Sequence, residues 1–373
     1  MKNIVIHFGG GALGRGLVIP LLYESHKAVV LVDTNKELIK KLSLAKSYSL
    51  DISDDPIERI HQIKLHDVLS SIEDKERLLC YLREATIVTT SVRRENLKYV
   101  APVIAEAWRT QPRTDRCVIC CENVEGVGSY FQELLIKEAT SDEEIENLRK
   151  IRIPDTIVDR ICAAGVDIMN ITSERFHECS VDQAILPDTG IDMITSTDNL
   201  QGHFYRKRYL LNAYADSISF LAKARGFHYL YEAACDPEIN QLTAPYMKLL
   251  VRLLKLNYQI EEKEALQWME IYRSRLSNSE IPRELSTVAR NLWTKLTITE
   301  RFIQPLIQLM EKGEDIREGL EFVMLLIQSE LDSNGEEMRS DELLKKLKEL
   351  WGITSLGNVL LETFYETIQG KRE

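Results

Sequence analysis

The chain has 373 residues, 44% of them hydrophobic and 28% charged, and a formal net charge of −11. That length allows two domains with sizeable cores, and the acidic balance disfavours nucleic acid or an anionic membrane surface as a partner. There is no run of about 20 apolar residues, so no transmembrane helix is expected; the chain reads straight into a strand, leaving no room for a signal peptide, and a cytoplasmic location is expected.

Ile4-Val5-Ile6 reads as the first strand. A glycine-rich turn follows, Gly9-Gly10-Gly11-Ala12-Leu13-Gly14, then a helix and a second strand, Val29–Val32, closed by Asp33. Strand, G-x-G-x-x-G turn, helix, strand and acid together form a dinucleotide-binding signature far more specific than the glycines alone. Gly9 permits the tight turn, Gly11 lets the backbone approach a pyrophosphate, and Gly14 lets the helix pack close to the sheet. The free N–H groups at the helix start favour the diphosphate. A carboxylate at Asp33 suits a ribose 2′-hydroxyl and repels a 2′-phosphate, so the expected cofactor is NAD; Lys36 is the one nearby base in sequence.

Strand-like and helical runs alternate through the first 190 or so residues, which implies a parallel sheet covered on both faces. Thr86–Thr90 is one such strand, followed by Ser91; Val118–Cys121 is another, followed by Glu122 and Asn123. Ligands in such sheets sit at the carboxyl ends of strands, which makes Ser91 and Asn123 candidate cofactor contacts. The seven cysteines have scattered spacing that argues against a disulfide framework. Cys117-x-x-Cys120 lies in an apolar run with no second Cys or His pair to match it, so it reads as a buried strand and no metal site is expected. Ser141–Arg149 reads as a solvated helix, and Ile157–Ile161 and Ser173–Val181 as further strands.

Beyond about residue 195 long helical runs dominate: Lys207–Arg225, Pro245–Asn257, Glu261–Arg275, Glu284–Leu296, Arg301–Lys312 and Arg317–Leu331, with a turn at Ser333-Asn334-Gly335 before a last helix pair. The expected fold class is therefore α/β, a Rossmann-type NAD-binding domain over 1–194 followed by a mostly α-helical substrate and catalytic domain over 195–373. At α-helical spacing Lys207, Leu211, Tyr214, Ile218 and Leu221 fall on one stripe, while Asn212 lies about 140° and Ala215 about 80° round from Lys207. Lys207 then ends an apolar face, where it is either a base of lowered pKa or a lysine that snorkels to water.

At this helix the sequence resembles the polyol-specific long-chain dehydrogenases of the mannitol dehydrogenase family, whose motif is Lys, four residues, Asn, two residues, His. Here it stands as Lys207, Asn212 and Ala215. Other matches run along the chain in order: His7-Phe8-Gly9 and Gly14-Arg15-Gly16, Glu122-Asn123-Val124, Val158-Asp159-Arg160-Ile161, Glu174-Arg175-Phe176, Asp198-Asn199-Leu200 and Arg301–Pro305. The resemblance implies metal-free hydride transfer between NAD and a polyol or sugar phosphate. It implies Lys207 as general base, Asn212 as donor to the developing alkoxide and Asn123 beside the nicotinamide. It also places Asp155, Arg160 and Lys295 among the candidate substrate contacts, with Arg160 equally suited to a structural ion pair with Asp159. Relatives are often monomers, so a monomer or small homo-oligomer is expected.

The chain departs from the family in its substrate half. Ala215 replaces the family His, Gln328 stands where a substrate-binding Arg is usual, Leu292 and Thr294 replace Pro and Arg, and Asp155 replaces an Asn of the oxyanion site. These changes leave a second expectation beside the dehydrogenase, a catalytically silent NAD(H)-binding sensor or regulator.

Overall fold

The structure is a computed structural model that describes residues 3–185, 189–192, 194–352 and 354–369. It divides into two compact units, Met1–Leu200 and Gln201–Glu373.

The first unit is organised by a five-stranded parallel sheet. Across it the strands run Asp67–Ser70, Ala28–Asp33, Ile4–Phe8, Ile87–Thr90 and Cys117–Cys120. Register is set by apolar strands buried on both faces, as in Val5 opposite Val29 and Ile87. Ile6, Phe8, Val30, Val32, Val88 and Val118 enter the core on one face with Trp108 and Phe131. Val5, Val29, Leu31, Ile87 and Ile119 enter the other with Leu17, Leu42 and Tyr48. The strand order reverses between Ile4–Phe8 and Ile87–Thr90, and such a switch point opens a crevice at the carboxyl ends of the strands.

Cys117–Cys120 is the buried strand expected, and burial pushes the Cys117 thiol up to about 12. The helix Asp142–Arg149 also forms, with the Ser141 side chain accepting from Glu144 N. Two further sheets flank the parallel one. One joins Ile60–Lys64, Ser47–Ile52, Asn170–Ser173 and Cys162–Ala164; the other joins Thr195–Thr197, Glu178–Asp182 and Thr156–Asp159. The expected single run Ser173–Val181 is thus two strands belonging to different sheets.

The second unit is helical, and its centre is one continuous helix, Leu200–Ala224. Lys207–Ala213 of this helix is wound as a π-helix. The helix expected to begin at Pro245 begins at Pro237 instead, where the Asp236 side chain accepts from Ile239 N; Pro245 lies inside it. The expected helix Glu284–Leu296 is two short helices, Leu285–Val288 and Leu292–Lys295, separated by Asn291 in the left-handed region at φ 57°. Arg317–Asn334 ends on Gly335 at φ 66°, the turn read from the sequence. No helix among the described residues is long and apolar enough to cross a membrane.

Candidate active site

The glycine-rich turn sits at the switch point. Gly9 has φ 112°, and a Cβ there would lie 2.6 Å from the Ser91 carbonyl oxygen. A Cβ on Gly14 would lie 2.0 Å from the Gly9 carbonyl oxygen, so neither position accepts a side chain. At Gly11 a Cβ would meet nothing within 4 Å: the middle glycine faces open space, as a backbone that receives a pyrophosphate must. Ala12 and Leu13 begin the helix, and Leu13 packs against the core. Buried Arg15 pins the turn from behind, its Nε donating to the Gly10 carbonyl at 2.6 Å and its Nη1 to that of Ile168 at 2.5 Å.

Asp33 ends the second strand beside this turn. Its Oδ2 accepts from Gly10 N at 2.5 Å and its Oδ1 from Asn35 N at 2.7 Å, which fixes the carboxylate in place. Lys36 is turned away from it, donating to Glu73 at 2.8 Å. Gly9, Gly11, Asp33 and Ser91, with Arg93 and Asn96, line a cavity of about 640 Å³. Arg93 itself has φ 72°, a conformation a non-glycine residue holds only when its surroundings impose it.

Two buried polar residues hold the crevice in shape. His7 is fully buried in the first strand; its Nδ1 lies 2.8 Å from Thr89 Oγ1, and its Nε2 lies 2.9 Å from the Gly9 carbonyl and 3.1 Å from Ser91 Oγ. Burial pushes its imidazole down to about 4, so it is neutral near pH 7. A carbonyl only accepts, so Nε2 carries the proton and Nδ1 accepts from Thr89. Glu122 accepts from Thr90 Oγ1 at 2.7 Å and from Val92 N at 2.8 Å, anchoring the loop that carries Ser91, and burial raises its carboxyl. His7 is not among the site residues expected from the sequence, although a histidine in an apolar strand directly before the turn is a signal for one.

The remaining first-unit candidates are placed as follows. Exposed Asn123 accepts from Val158 N through Oδ1 at 3.1 Å, which orients its amide. Asp155 Oδ1 accepts from Gly128 N at 2.7 Å, in the first turn of the helix Val127–Ile136. Arg160 donates to the Glu174 carbonyl at 2.6 Å and to the Gly16 carbonyl at 2.9 Å, tying the glycine-turn helix to the flanking sheets.

In the helical unit the π-wound segment alters the geometry expected for an α-helix. Its hydrogen bonds run between positions five apart, so such positions stack on one face. Lys207 and Asn212 are five apart. The separation of about 140° expected for α-helical spacing is therefore reduced, and the two positions fall on the same side of the helix. Nor does Lys207 end a one-sided apolar stripe: every residue from Tyr209 to Ala222 is buried except Asn212, and Lys207, Arg208 and Asn212 alone between Tyr205 and Ala222 keep partial exposure. Arg208 is committed to the Thr299 carbonyl at 2.9 Å. Ala215 is buried, and the next residue, Asp216, binds Lys295 Nζ at 2.8 Å and Arg301 Nη1 at 3.0 Å. Exposed Gln328 donates to Asp332 one turn along its own helix. Among the described residues no group of three or more His, Cys, Asp or Glu is arranged to hold a metal ion.

The mannitol dehydrogenase Rossmann domain matches residues 3–194, more than half of the chain. The chain belongs to the mannitol dehydrogenase family. Mannitol-1-phosphate 5-dehydrogenase of Aspergillus clavatus is 29% identical to it over 358 residues, 94% of this chain and 91% of that one. The enzyme of the same name from Lactococcus lactis is 28% identical over 356 residues, 92% of each chain. Among solved structures, mannitol 2-dehydrogenase of Pseudomonas fluorescens in ternary complex with NAD and D-mannitol shares the fold. Its TM-score is 0.74 at 14% identity, over 100% of this chain and 92% of that one. A D-sorbitol dehydrogenase in substrate-free form superposes with a TM-score of 0.73 at 17% identity, over 92% and 86% of the two chains.

Proposed function

We propose that this member of the mannitol dehydrogenase family is an NAD-dependent dehydrogenase interconverting a polyol, or its phosphate, and the corresponding ketose. What supports the proposal is that Lys207 and Asn212, five positions apart in a π-wound segment, both keep partial exposure on a helix whose neighbouring residues are mostly buried.

The cradle fits NAD. Gly9 and Gly14 hold the turn tight while Gly11 leaves backbone room for a pyrophosphate, the Asp33 carboxylate suits a free ribose hydroxyl, and the cavity of about 640 Å³ has the volume a nucleotide requires. Ser91 lies against Gly9, and Asn123 offers its amide nitrogen to the nicotinamide end. When bound, NAD supplies the hydride acceptor or donor. Lys207 takes the proton of the substrate hydroxyl in oxidation and returns it to the ketose oxygen in reduction. Asn212 donates a hydrogen bond to that oxygen as negative charge gathers on it. Lys295 holds the substrate through the one N–H donor left over from its bonds to Asp216 and the Val288 carbonyl. Asp155 and Arg160, bonded to Gly128 N and to two backbone carbonyls, shape the scaffold. The mannitol-1-phosphate 5-dehydrogenase relatives support catalysis over a silent sensor, and the acidic composition suits a small-molecule enzyme of the cytoplasm, monomeric or a small homo-oligomer.

Lys207→Ala tests the assignment. Its turnover falls by about 10²–10⁴-fold while the NADH dissociation constant stays put. A variant that turns over at the wild-type rate overturns the lysine-base reading.

A further inference from the structure

The π-wound stretch Lys207–Ala213 reads Lys-Arg-Tyr-Leu-Leu-Asn-Ala, with neither proline nor glycine and with strong helix formers at five of its seven positions. Local preference alone winds such a sequence as an α-helix, and π-winding is rare. Contacts from elsewhere in the fold must therefore hold it. Two charged residues supply them, and both reach the same remote segment, Lys295–Arg301. Arg208, in the first turn of the stretch, donates through Nη2 to the Thr299 carbonyl at 2.9 Å and lies 3.4 Å from Glu300. Asp216, just beyond its end, accepts from Lys295 Nζ at 2.8 Å and from Arg301 Nη1 at 3.0 Å. Glu300 is also 3.5 Å from Arg301. The two anchors thus join in one chain of alternating charge: Arg208, Glu300, Arg301, Asp216, Lys295.

The remote segment is itself fixed from behind. Trp351 donates its indole N–H to the Leu296 carbonyl at 2.7 Å, and the Tyr246 hydroxyl donates to the Arg301 carbonyl at 2.9 Å. Both rings are fully buried. Lys295 also donates to the Val288 carbonyl at 3.1 Å. A fixed segment that grips a helix on either side of a stretch sets the rotation of one end against the other. A π-turn takes up one residue more than an α-turn. Rewinding Lys207–Ala213 as an α-helix would therefore turn Arg208 relative to Asp216 by roughly 100°, the angle of one residue. The guanidinium would then leave the Thr299 carbonyl and Glu300 while Asp216 kept its partners.

We infer that Lys295–Arg301 is a clamp that holds the π-winding, with Arg208 and Asp216 as the positioning residues through which it acts. The inference rests on the dehydrogenase reading and deepens it by saying what keeps Lys207 and Asn212 on one side of their helix. Ion pairs taken out of water add little net stability, and their best-attested use is to select one register over another. That use fits here, because the alternative register differs by a single residue. Its consequence for the reaction is geometric: a base displaced by about 1 Å from its reacting oxygen loses about 10²-fold in rate.

The test uses the full chain, NADH and the ketose that the wild type reduces fastest. Arg208→Ala lowers kcat about 10–100-fold and leaves the ketose KM and the NADH dissociation constant within a few fold. Arg208→Lys, which keeps a cationic donor for the Thr299 carbonyl, recovers part of the lost kcat. An unchanged kcat in Arg208→Ala, or a loss carried by KM alone, overturns the inference. Amide hydrogen exchange reads the winding without any substrate. Exchange across Lys207–Ala213 becomes at least about 10-fold faster in Arg208→Ala and in Asp216→Asn, while the rest of the helical unit stays near the wild type. No change in that stretch, or equal acceleration throughout the unit, overturns the clamp, since either result leaves the two residues as ordinary stabilising contacts. If the wild type reduces no ketose, the dehydrogenase reading fails, and the exchange rates alone decide the clamp. Should Arg208→Ala fail to fold, Asp216→Asn decides by exchange.

Discussion

Acidification from pH 7 to pH 5 destabilises the first unit by about 2 kcal/mol through His7 alone. An imidazole in an unfolded chain titrates near 6.5, whereas burial holds that of His7 down at about 4. The unfolded state therefore binds the proton first as the pH falls. The stability contributed by the neutral, buried ring is complete above about 6.5 and is lost as pH falls toward 4. With those two values, the difference in protonation free energy is about 0.2 kcal/mol at pH 7 and about 2 kcal/mol at pH 5. Asp33 is the charged group facing the ring, and its attraction for a proton there is smaller than the desolvation that opposes it. The assay is urea unfolding of the wild type and of His7→Gln at several pH values. Glutamine has an amide nitrogen that can donate to the Gly9 carbonyl but has no charge to gain. All other titrations cancel between the two proteins, so the stability of the wild type relative to the variant drops by about 2 kcal/mol between pH 7 and pH 5. Parallel curves would mean that His7 takes up its proton in place, and the neutral-histidine account of the turn would be wrong.

Gly14→Ala places a methyl group 2.0 Å from the Gly9 carbonyl and 2.6 Å from His7 Nε2, so NADH binding is lost by calorimetry; retained binding would contradict the tight turn. Asp33→Ala removes the acceptor for Gly10 N and Asn35 N; NAD affinity falls about 10–100-fold and discrimination against NADP narrows, both read from dissociation constants. Arg160→Ala loses two charged-donor bonds to buried carbonyls and destabilises the protein by about 2–4 kcal/mol in denaturant melts, with KM for the ketose little changed; a selective rise in KM would instead mark Arg160 as a substrate contact.

The parts of this fold that were legible in the sequence are those encoded by local chemistry. The glycine turn, its flanking apolar strands and Asp33 obey steric rules that hold whatever the rest of the chain does. Cys117–Cys120 announced itself by burial on both faces. The strands Ser47–Ile52 and Ile60–Lys64 were passed over because they are short and only half-buried, and Ile60-His61-Gln62-Ile63-Lys64 lacks clean alternation. The start of the helix at Pro237 was obscured by Pro245, although Asp236-Pro237 is the stronger capping signal. The π-winding was invisible for a deeper reason. Periodicity reports which side of a helix is buried, and a helix buried all round carries no phase from which to read its hydrogen-bond register. Asp216 was likewise only a residue beside a missing histidine, because its partners Lys295 and Arg301 are remote in sequence and only the folded chain brings the three charges together.

The most direct test of the central claim is NADH oxidation by the purified wild-type protein against a panel of ketoses and ketose phosphates, fructose 6-phosphate included, with Lys207→Ala as control. The account predicts turnover on a ketose or ketose phosphate of the panel, abolished in the control. NADH that binds but is oxidised by no ketose on the panel, or turnover that persists unchanged in Lys207→Ala, would contradict it.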